Sequence, residues 1–367
     1  MQRLTAIWIA MSVILTSVYA QQVRTVTSLP DILRENSGIE LNSEGGFYFI
    51  ADGGNPASLY SYDTATSELT AQTIAGVTNR DWEDLTQDDS GNVFIGDIGN
   101  NSNNRRDLSI YKVSKSELEK SDDLTAEVIY FEFEDQLSFP PVSEKLNYDC
   151  ESMFWYKDSI YLFTKNRTNP YDGWCYVYVL PDEPGVYQAK LRDSLHLPSG
   201  SMEFGWVTSA DIIGDSIVLL SSANVHVAGG FGTKPLSSLK WQKLGVGFSQ
   251  KESVCFGTNA QTVFISDEFN FIGNKLYELK IGLLDVRESR DNGKRINYRM
   301  TSSALSIHLP DNTRTTLLVS DLLGRDIMSG PVWSDVLISG DDLPRTVYLI
   351  QLTGEGLYRE FRWAKTE

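Results

Sequence analysis

Short runs rich in Val, Ile, Leu, Phe and Tyr, bounded by turn residues, follow one another along this chain, and one phrase recurs among them. An acidic residue stands just ahead of an apolar one, and Phe-Ile-x-Asp follows about a dozen positions on. The full form is Asp81-Trp82-Glu83-Asp84-Leu85 with Phe94-Ile95-Gly96-Asp97, and again Lys251-Glu252-Ser253-Val254 with Phe264-Ile265-Ser266-Asp267. Looser copies pair Ser37-Gly38-Ile39 with Phe49-Ile50-Ala51-Asp52, Cys150-Glu151-Ser152-Met153 with Leu162-Phe163-Thr164-Lys165, and Ala210-Asp211-Ile212 with Leu219-Leu220-Ser221-Ser222. Repetition at roughly 40 to 70 residues marks one supersecondary unit stacked several times.

The second unit predicts four strands, Glu83 to Gln87, Val93 to Gly96, Leu108 to Val113 and Glu127 to Phe133, with Asp88-Asp89-Ser90-Gly91-Asn92 as the first tight turn. The fifth unit has no fourth strand of its own after Lys275 to Leu279, whereas Val23 to Ser28 is a strand without a unit. The economical arrangement lets the N-terminal strand complete the last unit and close a ring that leaves no open edge. The expected fold is all-β: a five-bladed β-propeller over residues 21–283, with six blades the alternative because Ser114 to Asp149 is long enough to hide another element. The phrase stops near Leu284, a charged linker occupies 284–300, and a small C-terminal β-sandwich is expected over 301–367. Its strands are Ala304 to Ile307, Thr315 to Ser320, Asp335 to Ile338, Val347 to Leu352 and Tyr358 to Trp363.

Composition adds an address and removes some functions. Residues 1–20 carry Arg3, an apolar stretch from Ile7 to Val18 and small residues before Gln21, the pattern of a secretory signal peptide. No transmembrane-length apolar run follows it. The net charge of −17 works against nucleic acid or an anionic membrane as partner, since both need clustered Lys and Arg. Three cysteines, Cys150, Cys175 and Cys255, cannot form a dense disulfide scaffold, and His196, His226 and His308 have no zinc-like spacing.

Propeller geometry gathers the repeated acids on one face near the central channel. Glu83, Asp97, Glu151 and Glu252 are the candidate catalytic carboxylates, and Asp52, Asp97, Asp211 and Asp267 the candidate ligands for a hard cation, calcium first. A purely architectural role, each acid accepting backbone N–H bonds, is the third reading. The third unit replaces its Asp with Lys165, followed by Asn166 and Arg167, and the second carries Arg105 and Arg106 in an Asn-rich loop. These cations are expected either to pair with the acid ring or to hold an anionic group beside it. Trp174, with Tyr171 and Trp206, flanks the same region as a possible stacking surface.

Three resemblances extend this picture. The Asp-bearing strands resemble NHL-type propeller repeats, and Asp-Trp-Glu-Asp, the Gly-Asp-Ile-Gly-Asn-Asn loop and Glu252-Ser253 before Ile265-Ser266-Asp267 resemble a group of uncharacterised secreted bacterial propellers. Leu318-Val319-Ser320-Asp321-Leu322-Leu323-Gly324-Arg325, then Leu343-Pro344-Arg345-Thr346-Val347-Tyr348, then a basic last strand, resemble the C-terminal sorting domain of type IX secretion substrates. Thr346 stands where that family usually has Gly. The resemblance implies export through the periplasm and secretion or outer-membrane surface display, with the type IX machinery as partner. The chain is then expected to bind an unknown extracellular ligand at its acidic face, the alternative being a calcium-dependent hydrolase of phosphoesterase, lactonase or glycosidase type.

Overall fold

The computed structural model describes residues 23–120, 123–197, 202–247, 249–269 and 273–281, and in the C-terminal region 297–300, 304–308, 315–321, 326–332, 336–339, 343–344, 347–354 and 357–364. The expected signal peptide, most of the linker and the Leu322 to Arg325 and Arg345-Thr346 parts of the sorting motif lie outside the described residues. The chain divides into two compact units, Met1–Leu284 and Asp285–Glu367.

The larger unit is a β-propeller. It begins with β1 (Val23–Ser28), followed by β2 (Asn36–Leu41), β3 (Phe47–Ala51), β4 (Ser58–Tyr62) and β5 (Leu69–Thr73), the last four forming one antiparallel sheet. Next come β6 (Trp82–Gln87), β7 (Val93–Asp97), β8 (Leu108–Val113) and β9 (Glu127–Phe133), then β10 (Asp149–Trp155), β11 (Ser159–Lys165), β12 (Trp174–Pro181) and β13 (Gly185–His196). A further sheet holds β14 (Ser209–Ile213), β15 (Ser216–Ser221), β16 (Asn224–Gly229) and β17 (Gln242–Gly245). The last comprises β18 (Lys251–Phe256), β19 (Thr262–Asp267), β20 (Lys275–Lys280) and, as its outer strand, β1. Val23 lies opposite Leu279 and Ser28 opposite Lys275, so the N-terminal strand staples the end of the ring to its beginning. The innermost strands β2, β6, β10, β14 and β18 each pack on the next, and β18 packs on β2.

Alternation along these strands explains the packing. In β7 the residues Val93, Phe94 and Ile95 are all fully buried, because a sheet inside the ring is covered on both faces. Trp82, Leu85, Val93 and Ile95 share one core with Ile50 and Leu59 of the preceding sheet, whereas Phe94 packs with Met153 and Leu162 of the following one. Fully burying one such side chain contributes about 2 kcal/mol, so these inter-sheet cores hold the ring closed.

Two features are not visible in the sequence pattern. The outer strands β9 and β13 pair in parallel, Gly185 opposite Ile129 and Ala189 opposite Phe133, which fuses two four-stranded sheets into one of eight and removes two open edges. The stretch between Ser114 and Asp149 contains only β9, a short helix at Lys115–Leu118 and a single 3-10 turn at Ser143–Lys145 among the described residues. The outer strand β17 is only four residues long, Gln242–Gly245, and follows a 3-10 turn at Leu236–Ser238.

The smaller unit contains a three-stranded sheet of β21 (Asn297–Met300), β22 (Ala304–His308) and β25 (Val336–Ser339), and a four-stranded sheet of β24 (Asp326–Val332), β23 (Thr315–Asp321), β26 (Val347–Gly354) and β27 (Leu357–Ala364). Leu305, Ile307 and Ile338 from one sheet form a single core with Leu317, Val319, Tyr348, Ile350 and Leu352 from the other. β24 was missed in the sequence because it carries Gly330 and Pro331; it is an edge strand, where a missing N–H costs little.

Candidate functional site: an acidic rim at the bulged strands

The acid of the repeated phrase is a bulge residue. Register slips between Asn36 and Gly38, Trp82 and Asp84, Cys150 and Ser152, and Lys251 and Ser253, at the same place in four innermost strands. The extra residues are Ser37, Glu83, Glu151 and Glu252. A bulge re-aims its side chain away from the regular alternation, and here it frees the three glutamates from the sheet faces. β14 pairs with β15 without such a slip.

The slip on β6 brings Glu83 to Asp81 and to Asp52 of the preceding sheet. One carboxylate oxygen from each lies within 4.8 Å of the others. The backbone fits tightly around them: a Cβ at Gly99 would collide with the carboxylates of Asp81 and Glu83, and one at Gly53 would sit 2.5 Å from the Arg80 carbonyl and 2.9 Å from Asp81 Oδ1. Asp52 accepts a hydrogen bond from the Gly53 N–H. Glu83 is nine-tenths buried, and no hydrogen bond or ion pair to it occurs among the described residues. Two charges at such a separation repel by about 3 kcal/mol at an effective dielectric of about 20. Burial and then repulsion from Glu151, Asp52 and Asp81 accordingly push Glu83 well above the usual carboxylate range. Burial, with Asp52 and Asp149, raises Asp81 to about 6, and burial raises Asp52.

Beside this trio the remaining acids are partly compensated. Lys165 Nζ is bonded to Glu151, and Arg167 binds Asp149 and reaches Glu151 at 3.4 Å. Both cations lie over the ring of Trp206, at 4.8 and 5.2 Å. Burial raises Glu151 to about 7 against the opposing pull of Lys165, and raises Glu252 to about 8, again against Lys165. Burial by itself would lower Lys165; attraction to Glu151, Glu252, Asp149 and Glu83 outweighs it and the ammonium is held charged.

The other sequence candidates have different surroundings. Asp97 accepts from Arg105 at 2.7 Å and from the Arg80 N–H at 3.3 Å. Asp267 accepts from the Lys275 N–H, the Tyr277 hydroxyl and the Ser249 hydroxyl at 2.7 to 2.9 Å. Asp211 accepts the Phe256 N–H at 2.6 Å, and after burial it is, with Asp84, among the causes that raise Glu40. Arg106 is exposed, 3.6 Å above the Phe139 ring and 3.7 Å from Glu132. Trp174 is 39% exposed, its ring 5.0 Å from that of His196. Sequence reasoning did not place Asp81 in this carboxylate group; its position two before Glu83 was the available signal, but only the bulge brings the two together.

No protein-family model matches the chain, and no curated protein matches it. Similar solved structures include PorZ, an essential bacterial surface component of the type-IX secretion system of Porphyromonas gingivalis, at 12% identity and TM-score 0.37 over 90% of this chain and 44% of that one. The chain thus spans less than half of PorZ's length. The aldose sugar dehydrogenase of Streptomyces coelicolor is 9% identical with TM-score 0.43 over 71% of this chain and 98% of that one. A gluconolactonase of Xanthomonas campestris is 13% identical with TM-score 0.38 over 67% and 72%. Likenesses this remote bear on neither ligand nor activity.

Proposed function

We propose that the five-bladed ring is an exported binding module whose acidic face takes a hard divalent cation, calcium, on Asp52, Asp81 and Glu83 and presents it to an extracellular ligand. One observation carries this reading: Glu83, a nine-tenths-buried residue whose carboxyl makes no hydrogen bond or ion pair among the described residues, is grouped with two other carboxylates within 4.8 Å. Oxygen atoms sharing one ion at about 2.4 Å can lie at most about 4.8 Å apart. All three donors are carboxylates, with no His or Cys in the group, a set suited to calcium rather than zinc. Bound calcium would offset the mutual repulsion and supply a positive centre with positions left for ligand oxygens.

The test is calorimetric titration of calcium into the chelator-stripped full chain and its Glu83→Gln variant. Saturable binding to the first, weakened at least tenfold in the second, is the expected result; equal binding by both places the ion elsewhere. The signal peptide and the sorting-domain resemblance support type IX export to the surface. Deleting residues 290–367 should abolish surface delivery, and unchanged delivery would remove that address.

The hydrolase alternative draws on Glu252, raised to about 8 by burial beside the same rim. A carboxylic acid kept protonated near neutral pH can serve as general acid. Activity against a phosphoester, lactone or glycoside that Glu252→Gln abolishes with the fold intact would support it, and inactivity against all three classes would count against it.

A further inference from the structure

We infer that Lys165 is a tethered counter-ion that restricts the acidic face to a single divalent cation and sets its affinity; the inference rests on the calcium reading above. Lys165 ends β11 at the level where the first unit carries Asp52 and the fifth Glu268. The level of Asp97 and Asp267, opposite the residue just before the bulge, is held in this unit by Thr164, so the alignment of Lys165 with those two aspartates is corrected by one residue. The backbone pairing makes the substitution plain: Lys165 lies opposite Asp149, two residues before the bulge residue Glu151. In the same way the Asp52 N–H donates to the Glu35 carbonyl two before Ser37 and the Glu268 N–H to the Gln250 carbonyl two before Glu252, so Lys165 puts an ammonium where two other units carry an acid. Its side chain is only 12% exposed, and its ammonium is held by Glu151 on one side and the Trp206 ring on another. From there its field reaches Glu83 and Asp52, which belong to the trio, and also Glu252, which makes no hydrogen bond or ion pair among the described residues.

An ammonium fixed among these carboxylates acts on a mobile ion in two ways. It repels a divalent cation arriving at the trio, weakening capture there. It also neutralises the Glu151 and Glu252 side of the face, where a second ion would otherwise find one buried and one half-buried carboxylate. Arg167 shares Glu151 at 3.4 Å, but its guanidinium is otherwise occupied by Asp149 and Asn101. A cation supplied by the chain thus takes the place of a second supplied by the medium.

The experiment titrates calcium chloride, at pH 8 and constant ionic strength, into the full-length chain and its Lys165→Gln and Lys165→Arg variants. Expected are one ion in the wild type, a second ion or at least tenfold tighter binding in Lys165→Gln, and one ion of little-changed affinity in Lys165→Arg. Two ions in the wild type, or Lys165→Gln indistinguishable from it, overturns the inference while leaving the calcium reading intact. Absence of binding to both overturns the two together; binding only to Lys165→Gln overturns the calcium reading and upholds the exclusion by Lys165. Should Lys165→Gln not fold, terbium titrated into the wild-type chain still decides: one trivalent ion upholds the inference and two overturn it.

Discussion

Glu83 and Asp84 adjoin on β6 and are both buried, yet they differ in what meets their oxygens. Asp84 is fully enclosed where the innermost strands converge. It accepts N–H bonds from Met153 at 3.0 Å, Ala210 at 3.3 Å and Leu85 at 3.1 Å, and the Ser209 hydroxyl at 3.3 Å. One carboxyl therefore ties β6 to β10 and β14. Glu83, displaced by the bulge, is dominated by other acids, Glu151, Asp52 and Asp81 first, while Lys165 and Arg167 act on it only through their fields. The throat of the ring uses a carboxyl as a structural knot, and the rim leaves Glu83 without a hydrogen bond or ion pair among the described residues. A protein can tolerate an unsatisfied buried group only at a cost in stability, and such costs concentrate where a ligand later offsets them.

The largest test of this contrast is at the throat. Asp84→Ala leaves the Met153 and Ala210 N–H groups and the Ser209 hydroxyl without their acceptor, at about 1 kcal/mol each, so urea denaturation should show a loss of about 3 kcal/mol. A loss within error of zero would mean that packing alone holds the innermost strands together. At the rim the sign reverses. Glu83→Gln removes a carboxyl that makes no hydrogen bond or ion pair among the described residues, and at pH 8 without calcium the variant should be more stable than the wild type by about 1 kcal/mol. Adding calcium at about a hundred times its dissociation constant should stabilise the wild type by about 2.7 kcal/mol and the variant much less. A Glu83→Gln chain that is less stable than wild type in chelator would show that Glu83 is held by an interaction of its own.

Titration sharpens the same contrast. The folded chain raises Asp81 to about 6, Glu151 to about 7 and Glu252 to about 8, in each case first through burial. Between the ordinary carboxylate range and these values the folded state binds more protons than the unfolded one, so without calcium stability should fall as pH rises from about 4.5 to about 8. Calcium must displace the same protons, so its affinity should rise over pH 6 to 8, with protons released on binding. Calorimetry in two buffers of different ionisation enthalpy measures that release; a calcium affinity flat across this window would place the ion away from the raised carboxyls.

The ring itself was legible because its signal is repeated. The phrase ending in Phe-Ile-x-Asp marks inner-strand pairs, and the orphan run Val23 to Ser28 is the strand that pairs with β20. The site was less legible, because a bulge is a departure from alternation and leaves no periodic trace. Reading the acids by alignment grouped Asp52 with Asp97, Asp211 and Asp267, whereas the slip of register groups Asp52 with Asp81 and Glu83. Asp211 shows the difference most clearly. Asp84 bonds to the N–H groups of both Met153 and Ala210, so Ala210, not Ile212, occupies the level of Met153, and Asp211 lies one residue deeper beside the Phe256 N–H. Parallel pairing of β9 with β13 was hidden for a related reason: the sequence shows that an edge exists but not which edge it meets.

The smallest effect is expected at Asp267, and it discriminates between the two groupings. If a cation were held by the aspartates that end the second strands, Asp267→Asn would remove a ligand and calcium affinity would fall by about tenfold. Its oxygens are already taken by the Lys275 N–H, the Tyr277 hydroxyl and the Ser249 hydroxyl, so it has little capacity left for an ion. The amide can still accept from two of these donors. Stability should therefore drop by only about 1 kcal/mol, and calcium affinity should stay within about twofold of wild type, as for distant sites that share no partner. A tenfold loss at Asp267 with none at Glu83 would move the cation from the bulge to the strand ends, and the repeated Phe-Ile-x-Asp would then be the binding motif rather than the knot that fastens each turn.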